Sequence, residues 1–310
     1  MISPRAGETI RLKKKYLAII VVVMIVGVAL LASLVYSSVQ GSRIAYIAVR
    51  TDKDVYTSDE NVTFRLVPLT DGIEFTMGGQ NDPRYGMHVV RIPDDVDPSE
   101  ILTDPLLLDR IYSWERKSII LPIETFNSAD GPLEMSWNGT IQIYNDELVD
   151  DPEVGWSQKQ YQWVSVTSGH YLLYPRLQWY AGHVTKCMLD ESSIFYYESL
   201  NVNISAVHSP GSFSMSMDIT IGEGMPEGEY ELRSRLSPLI YDGTKPVSTY
   251  LNRSMSLVAG ISTHLELGPM KTQDHVMAEF DAVVEGPDGR LFAFGFSKSP
   301  NGAWYNDYRY

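Results

Sequence analysis

The chain has 310 residues, of which 44% are hydrophobic and 21% charged, a composition typical of globular proteins with one or two packed cores. Its formal net charge is −14, and because an acidic surface repels phosphate backbones, we expect no nucleic-acid partner. The single cysteine, Cys187, excludes an intrachain disulfide scaffold.

An uninterrupted apolar run, YLAIIVVVMIVGVALLASLVY, covers residues 16–36 and contains no charged residue. As a helix it would be about 31 Å long, which matches a hydrocarbon core of about 30 Å. Lysines at positions 13–15 precede it, and positively charged flanks stay on the cytoplasmic side. We therefore predict a cytoplasmic tail over 1–15, a single-pass anchor in the cell membrane over 16–37, a linker over 38–43 and an extracellular body. The lipid bilayer is thus an expected partner.

A cleaved signal peptide is the alternative interpretation of this segment, with a cut near Ser38 or Gly41. The apolar region of a signal peptide is normally about 7 to 15 residues long, and this run is longer. A retained anchor is therefore favoured. A pilin-like leader is disfavoured, because GETIRLKKK separates Arg5-Ala6-Gly7 from the apolar run.

The body of the chain lacks helical periodicity almost completely. From Arg43 onward, short alternating or apolar runs such as VTFRLV, TIQIY and FSMSMDITI recur between turn residues. The pattern predicts a mostly β protein, with one N-terminal transmembrane helix followed by two immunoglobulin-like β-sandwich domains over residues 44–181 and 182–297. A C-terminal tail would cover 298–310. A single larger sandwich is the alternative.

The clearest local prediction is a hairpin over residues 276–296. Its first run alternates apolar and polar residues, and its second places three phenylalanines on one side. GPDG at 286–289 is typical of a turn, because proline presets φ and glycine accepts positive φ. The aromatic tail GAWYNDYRY is expected to pack as a last strand.

Two segments interrupt the strands of the first predicted domain. Residues 93–116 are expected to contain a short helix that starts at Asp97 or Ser99, since Pro98 and Pro105 argue against a long one. Residues 145–159, NDELVDDPEVGWSQK, are predicted to form an acidic loop.

Long loops are where binding residues tend to lie. Within the first interrupting segment, Leu107, Tyr112 and Trp114 are candidate anchors for an unknown protein partner at the cell surface. The alternative is that these side chains fold back onto the core of the sandwich.

Short motifs in the body carry a family resemblance. YTSDENVTF at residues 56–64 resembles the Y-x-x-G-E-x-V-x-F opening of many prokaryotic immunoglobulin-like domains, with Asp59 in place of the usual glycine. WNG at 137–139 and VTSGHY at 166–171 resemble the W-x-G and v-x-x-G-x-Y close of the proteinase-inhibitor-type β-sandwich of bacteria and archaea. EGEY at 227–230 repeats the last element.

The resemblance covers roughly residues 44–180. It implies a membrane-anchored, immunoglobulin-like surface protein of a prokaryote, in which the Gly-x-Tyr tyrosine packs its ring and its hydroxyl finds a partner. It carries over no inhibitory loop, because no segment of this chain matches one.

Four N-x-S/T sequons are candidate N-glycosylation sites, at Asn61, Asn138, Asn203 and Asn252. All four lie in the predicted extracellular body. Three of them alternate with apolar residues of predicted strands, so their side chains should face solvent. The alternative is that strand exteriors are simply polar.

No catalytic or cofactor motif is present: the chain has no GxSxG, SxxK, HExxH or P-loop pattern. Its histidines lack the paired spacing of metal ligands. Acidic clusters at 94–100 and 146–153 could offer oxygens to calcium, but neither has EF-hand spacing, so solvated loop charge is the favoured interpretation.

We therefore predict a protein that is not an enzyme and that uses no cofactor and no metal. Its predicted role is binding or structural, in the cell envelope or in a membrane complex. The alternatives are a secreted proteinase-inhibitor-like protein and an enzyme whose site is assembled from distant residues.

Overall fold

The computed structural model describes ten ranges of the chain. They are residues 43–72, 74–77, 86–119, 124–144, 161–176, 183–209, 212–239, 249–271, 277–298 and 304–309. Most of these residues are in strands, as predicted. The predicted anchor and the acidic loop over 145–159 lie outside them. No helix in these ranges is long and apolar enough to cross a bilayer.

The elements are numbered in chain order. The strands are β1 (Arg43–Thr51), β2 (Val55–Thr57), β3 (Val62–Pro68), β4 (Glu74–Met77), β5 (Gly86–Ile92), β6 (Arg116–Ile119), β7 (Glu124–Asn127), β8 (Leu133–Trp137), β9 (Thr140–Tyr144), β10 (Tyr161–Ser165), β11 (Gly169–Arg176), β12 (His183–Met188), β13 (Ile194–Glu198), β14 (Leu200–Ser209), β15 (Ser212–Ile221), β16 (Gly228–Leu239), β17 (Thr249–Leu257), β18 (Thr263–Lys271), β19 (Met277–Glu285), β20 (Leu291–Lys298) and β21 (Trp304–Arg309). The helices are α1 (Pro98–Thr103) and α2 (Pro105–Glu115).

The contacts within the chain divide it into two units. The smaller unit consists of Met1–Ala45 and Trp179–Lys186, and the larger unit consists of Tyr46–Gln178 and Cys187–Tyr310. In the smaller unit the described residues are the start of β1 and most of β12. The contacts described in the following paragraphs lie within the larger unit.

The strands β1 to β13 form two main sheets. In the larger unit, one contains β1, β3 and β8 in that order, and the other has the order β2-β13-β11-β5-β6. The pair β2–β13 is parallel, whereas β13–β11 and β11–β5 are antiparallel. Two-stranded ribbons, β4–β7 and β9–β10, complete this part.

Strand β3 shows how the sequence pattern produces these sheets. Val62, Phe64 and Leu66 are fully buried, whereas Arg65 is exposed. Because side chains alternate between the two faces of a strand, this pattern fixes which face of the sheet turns inward. Arg65 pairs across the strands with Glu134 of β8, with 3.0 Å between Nε and Oε2.

An aromatic core lies between these two sheets. Trp137 of β8 contacts Tyr171 of β11 and Phe195 of β13, with 6.3 Å between ring centroids in each case and edge-on geometry. Tyr56 packs edge-on against Phe195 at 5.5 Å. The indole of Trp137 donates a hydrogen bond to the carbonyl of Thr140, at 2.7 Å, so its polar group is satisfied.

The strands β14 to β21 form two further sheets around a second core. Their orders are β14-β15-β18 and β17-β16-β19-β20-β21. The core takes side chains from both sheets, including Met217 and Ile219 from β15, Leu232 from β16, and Phe280 and Phe292 from β19 and β20.

The predicted hairpin and the predicted last strand are both present. Strands β19 and β20 pair antiparallel across the turn at 286–289. In that turn Gly289 has φ +79°, a conformation that glycine adopts without steric cost. Strand β21, from the aromatic tail, pairs with β20.

The link between β13 and β14 is short and hydrogen-bonded at Ser199. The N–H of Ser199 donates to Oγ of Ser168 at 2.8 Å, and its carbonyl accepts from the N–H of Gly222 at 2.8 Å. A Cβ at position 222 would lie 2.7 Å from the Ser199 carbonyl oxygen. Glycine is therefore required for this close approach.

Candidate functional site

Helices α1 and α2 form the segment in which the partner-contact residues were predicted. Asp97 is the N-cap of α1, where its Oδ1 accepts a hydrogen bond from the Ser99 N–H at 2.9 Å. Asp104 caps both helices. Its N–H donates a hydrogen bond to the carbonyl of Glu100 at the end of α1, and its Oδ1 accepts one from the N–H of Leu106 at the start of α2, at 2.9 Å. The expected short helix is confirmed, and a second helix follows it directly.

The two helices cover an apolar cluster on the sheet that contains β5 and β11. Its buried members are Val90, Ile92, Ile101, Ile111 and Leu172. Leu107 and Leu108 are half-buried and pack against it.

Neighbouring leucines of α2 therefore have opposite environments. The predicted anchor Leu107 lies against the apolar cluster, whereas Leu106 is 79% exposed. Tyr112 and Trp114 lie on α2, and their side chains are outside what the structure describes. Among the described side chains of α1 and α2, Leu106 is the exposed large apolar one, and we call the outer face of α1 and α2 around it the helical surface.

A largely buried arginine lies beside the helical segment. Nη2 of Arg91 bonds Oδ1 of Asp94 at 2.8 Å and the carbonyl of Ser168 at 3.3 Å. A Cβ at Gly169 would lie 3.1 Å from Nε of Arg91, so the guanidinium packs directly over this glycine. Asp94, from the first acidic cluster, is therefore engaged in an ion pair within the protein.

His170 extends this polar cluster. Its ring contacts that of Tyr196 edge-on, with 5.1 Å between centroids. Burial lowers the pKa of His170, and the charge of Arg91 lowers it further, while Asp94 and Asp97 act in the opposite direction. The neutral imidazole is thus the favoured form at neutral pH.

Two members of the acidic cluster at 94–100 have structural roles, Asp94 in an ion pair and Asp97 in capping α1. Hydrogen bonds from the backbone and side chain of Ser99 lower the pKa of Asp97, consistent with its N-cap role. Across the described ranges, no group of three or more histidine, cysteine or acidic side chains is arranged to hold a metal ion. The second acidic cluster, 146–153, lies outside those ranges.

Two tyrosines make the same hydroxyl-to-backbone bond at the start of a strand. Tyr171 of β11 donates to the carbonyl of Thr167, and Tyr230 of β16 donates to the carbonyl of Pro226, each at 2.7 Å and four residues upstream. Burial raises the pKa of both hydroxyls, that of Tyr230 to about 12, so each remains a donor. These are the tyrosines of the two Gly-x-Tyr motifs, and the expectation that their hydroxyls find partners is confirmed.

The turn between β2 and β3 contacts two turns of the later strands. Nη1 of Arg290 donates to the carbonyl of Ser58 at 3.1 Å, and Oγ of Ser58 lies 3.5 Å from the carbonyl of Glu223. A Cβ at Gly224 would lie 2.3 Å from Oδ1 of Asp59. We call this set of contacts the junction.

All four sequon asparagines are exposed. Asn61 precedes β3 and Asn138 follows β8, while Asn203 lies within β14 and Asn252 within β17. Oδ1 of Asn138 accepts a hydrogen bond from Oγ1 of Thr140 at 2.7 Å.

No protein-family model matches the chain, and no curated protein matches it. Among solved structures it is similar to a beta-glucuronidase of Bacteroides uniformis, with 8% identity and a TM-score of 0.26, and to beta-glucuronidase 2 of that organism covalently bound to cyclophellitol-6-carboxylate aziridine, with 8% identity and a TM-score of 0.27. Each alignment covers 77% of this chain and 26% of the other, so this chain spans about a quarter of their length. Neither TM-score is high enough to assign a shared fold.

Proposed function

We propose that the chain is a single-pass, membrane-anchored surface protein whose immunoglobulin-like body has a binding or structural role. The anchor would be the uncharged run at 16–36. The first described strand starts at Arg43, so a linker of only a few residues would separate the bilayer from the folded body.

The strand order of β1 to β13 is the main support for an immunoglobulin-like fold. In that fold strands A, B and E lie in one sheet and strands C, F and G in the other. Strands β1, β3 and β8 match the first set, and β5, β11 and β13 match the second in the correct spatial order. Tyr171, at the start of the strand equivalent to F, makes the hydroxyl-to-backbone bond known as the tyrosine corner.

The strands β14 to β20 support a second module of the same kind. Here β14, β15 and β18 correspond to A, B and E, while β16, β19 and β20 correspond to C, F and G. The corner tyrosine, Tyr230, lies on the strand equivalent to C, which departs from the usual position. We propose Ser199 as the module boundary, because β13 pairs with β11 and β14 pairs with β15.

The helical surface is the contact region we favour for a protein partner. Leu106 exposes most of its side chain to solvent, and exposed apolar groups on a folded surface are what a partner can bury. Leu107 would support the surface from below through its packing on the apolar cluster.

Purification of the full chain from solubilised membranes after mild cross-linking tests this role. Leu106→Ala should lose a cross-linked partner band that the wild type shows, with the melting temperature unchanged. Val207→Ala, at another exposed apolar residue far along the sequence, is the matched control and should keep the band. Retention of the band in Leu106→Ala, or no chain in the membrane fraction, would contradict the proposal.

A further inference from the structure

Strand β17 ends the sheet β17-β16-β19-β20-β21, and its outer edge is open. Within the described ranges its ladder partner is β16, and the side-chain hydrogen bonds that involve Leu251 and Ser254 also go to β16. Three consecutive residues, Asn252, Arg253 and Ser254, are exposed. Because successive side chains of a strand point to opposite faces, exposure of three in a row means that the strand is uncovered on both faces at this edge.

The other end strands of the two sheets around the second core differ from β17. The carbonyl of Leu200 in β14 accepts a hydrogen bond from the N–H of Ser168, at 2.9 Å, so that edge is engaged at its first residue. Strands β18 and β21 carry the kinds of residue that block natural edge strands, namely Glu266, Pro269, Lys271, Asp307 and Arg309. Strand β17 has no proline, and its one charged residue is Arg253. It is therefore the end strand best suited to pair with another strand.

Two exposed apolar side chains lie at the ends of this edge. Tyr250, near the start of β17, is 47% exposed, and Val258, which directly follows the strand, is 40% exposed. Both are four positions from Ser254, one on each side. The apolar groups of the edge are thus placed symmetrically about Ser254.

A two-fold axis at Ser254 would bring these apolar groups together. It relates two antiparallel copies of β17 and gives a self-complementary contact, as two-fold interfaces require. The register then pairs Tyr250 with Val258, Leu251 with Leu257, Asn252 with Ser256, Arg253 with Met255, and Ser254 with its own equivalent. Apolar residues meet at both ends and small polar residues meet near the middle, which are favourable cross-strand pairs.

The charged residues favour this register over its neighbour. An axis at Arg253 would place two arginines directly opposite each other, and like charges in that position destabilise a strand pair. With the axis at Ser254, a second contribution comes from β16, where Arg233 lies beside Asn252 and Glu229 lies beside Ser256. Because Asn252 then faces Ser256 of the other copy, each end of the contact has an arginine and a glutamate in the same cross-strand row.

We propose that the outer edge of β17 is a self-association surface, to which a second copy of this chain adds its own β17 in antiparallel orientation about a two-fold axis at Ser254. The two five-stranded sheets then form one continuous sheet. This inference goes beyond the proposed function, because it concerns contact between copies of the chain and uses neither the anchor nor the helical surface.

Cysteine cross-linking of the full chain in detergent tests the register. In a Cys187→Ser background, Ser254→Cys places two thiols opposite each other at the axis, and oxidation with copper phenanthroline should give a disulfide-linked dimer. Ser256→Cys is the matched control, because it is exposed on the same face but lies about 13 Å along the strand from its own equivalent, too far for a disulfide. No dimer with Ser254→Cys, or equal cross-linking of the two variants, would overturn the proposal.

Opposite charges placed at the axis give a second measurement, by sedimentation equilibrium. Ser254→Lys and Ser254→Glu each put like charges opposite each other and should weaken self-association about fivefold relative to the wild type. An equimolar mixture of the two variants should restore it, because lysine then faces glutamate. The melting temperatures of dilute samples show whether each variant is folded. A wild type that stays monomeric, or a mixture that associates as weakly as its components, would overturn the proposal.

Self-association through β17 and partner binding at the helical surface fail separately. Leu106→Ala should leave the Ser254→Cys dimer unchanged, since Leu106 is on α2. If Leu106→Ala loses its partner band while Ser254→Cys gives no dimer, the β17 inference is wrong and the helical surface stands. If Leu106→Ala abolishes the dimer, the helical surface mediates self-association and the β17 inference is overturned.

Discussion

Arg290 donates a hydrogen bond from its guanidinium to the backbone carbonyl of Ser58, a residue 232 positions earlier in the chain. The bond joins the turn between β19 and β20 to the turn between β2 and β3. It is part of the junction, where Gly224 allows close approach to Asp59. The two sets of strands are thereby held by specific polar contacts as well as by the chain connection at Ser199.

Replacement of Arg290 tests the junction. Arg290→Ala should lower the free energy of unfolding by about 1 kcal/mol, the typical net value of such a hydrogen bond. It should also increase protease cleavage near the β2–β3 turn. Arg253→Ala, at an exposed residue of β17, is the control and should change neither. Equal stability of the two variants would show that the Arg290 contact contributes nothing.

Two glycines with the same backbone conformation allow a controlled test of packing around Tyr197. Gly139 has φ +70° and Gly72 has φ +69°. A Cβ at Gly139 would lie 2.1 Å from the hydroxyl oxygen of Tyr197, whereas a Cβ at Gly72 would have nothing within 4 Å. Both alanine variants incur the positive-φ cost of about 1–2 kcal/mol.

Only Gly139→Ala must also displace the ring of Tyr197. Chemical denaturation should therefore show Gly139→Ala to be less stable than Gly72→Ala, by a further amount of about 1–3 kcal/mol for overpacking. A difference close to zero between the two variants would contradict the described contact.

The hydroxyl-to-backbone hydrogen bonds of Tyr171 and Tyr230 predict that removal of either hydroxyl lowers the free energy of unfolding. Tyr171→Phe should lower the free energy of unfolding by about 1–3 kcal/mol, because the buried carbonyl of Thr167 loses its donor. Tyr250→Phe, at an exposed tyrosine of β17, should be nearly neutral. Thermal unfolding of both variants checks this, and a neutral Tyr171→Phe would be the contrary result.

Local parts of the fold were predictable from the sequence because their determinants lie close together in the chain. The alternation in β3, the turn at 286–289 and the N-cap at Asp97 each involve residues within a few positions. The sequence pattern does not predict helix α2, because Pro105 argues against a helix that continues through it. Proline at the first position of a helix is favourable, since its missing N–H would be unpaired there anyway.

Non-local features could not be predicted in the same way. The parallel pairing of β2 with β13 joins residues about 140 positions apart, and no pattern in either strand specifies the partner. The packing of Leu107 beside Ile111 was partly predictable from the sequence, because these residues have the i, i+4 spacing of one helix face. The sequence does not show which face of α2 packs on the apolar cluster, because that depends on the sheet beneath the helix. The exposure of Leu106 could therefore not be predicted.

Glu279 predicts a specific pH dependence. Burial raises its pKa above the ordinary 4.5, the charge of Asp281 raises it further, and Arg235 opposes both. A carboxyl with a raised pKa in the folded state contributes stability below about pH 4.5, and this contribution is lost as pH rises through the folded-state pKa.

Glu279→Gln should therefore stabilise the protein at pH 7, by less than about 1 kcal/mol because the group is partly solvated. It should also flatten the decline in stability above pH 4.5. Glu266→Gln, at an exposed carboxylate of β18, is the control. Unfolding curves at several pH values check the prediction, and a destabilised Glu279→Gln at pH 7 would refute it.

The location of the body relative to the membrane is the central claim, and labelling with a membrane-impermeant maleimide on intact cells tests it most directly. Burial raises the pKa of the lone Cys187 thiol to about 12, so its background reactivity should be low, and Cys187→Ser removes it. In that background the account predicts that Ser256→Cys, at an exposed residue of β17, is labelled on intact cells, while Ser3→Cys is labelled only after permeabilisation. Labelling of Ser3→Cys but not Ser256→Cys on intact cells, or release of the labelled chain into the medium, would contradict it.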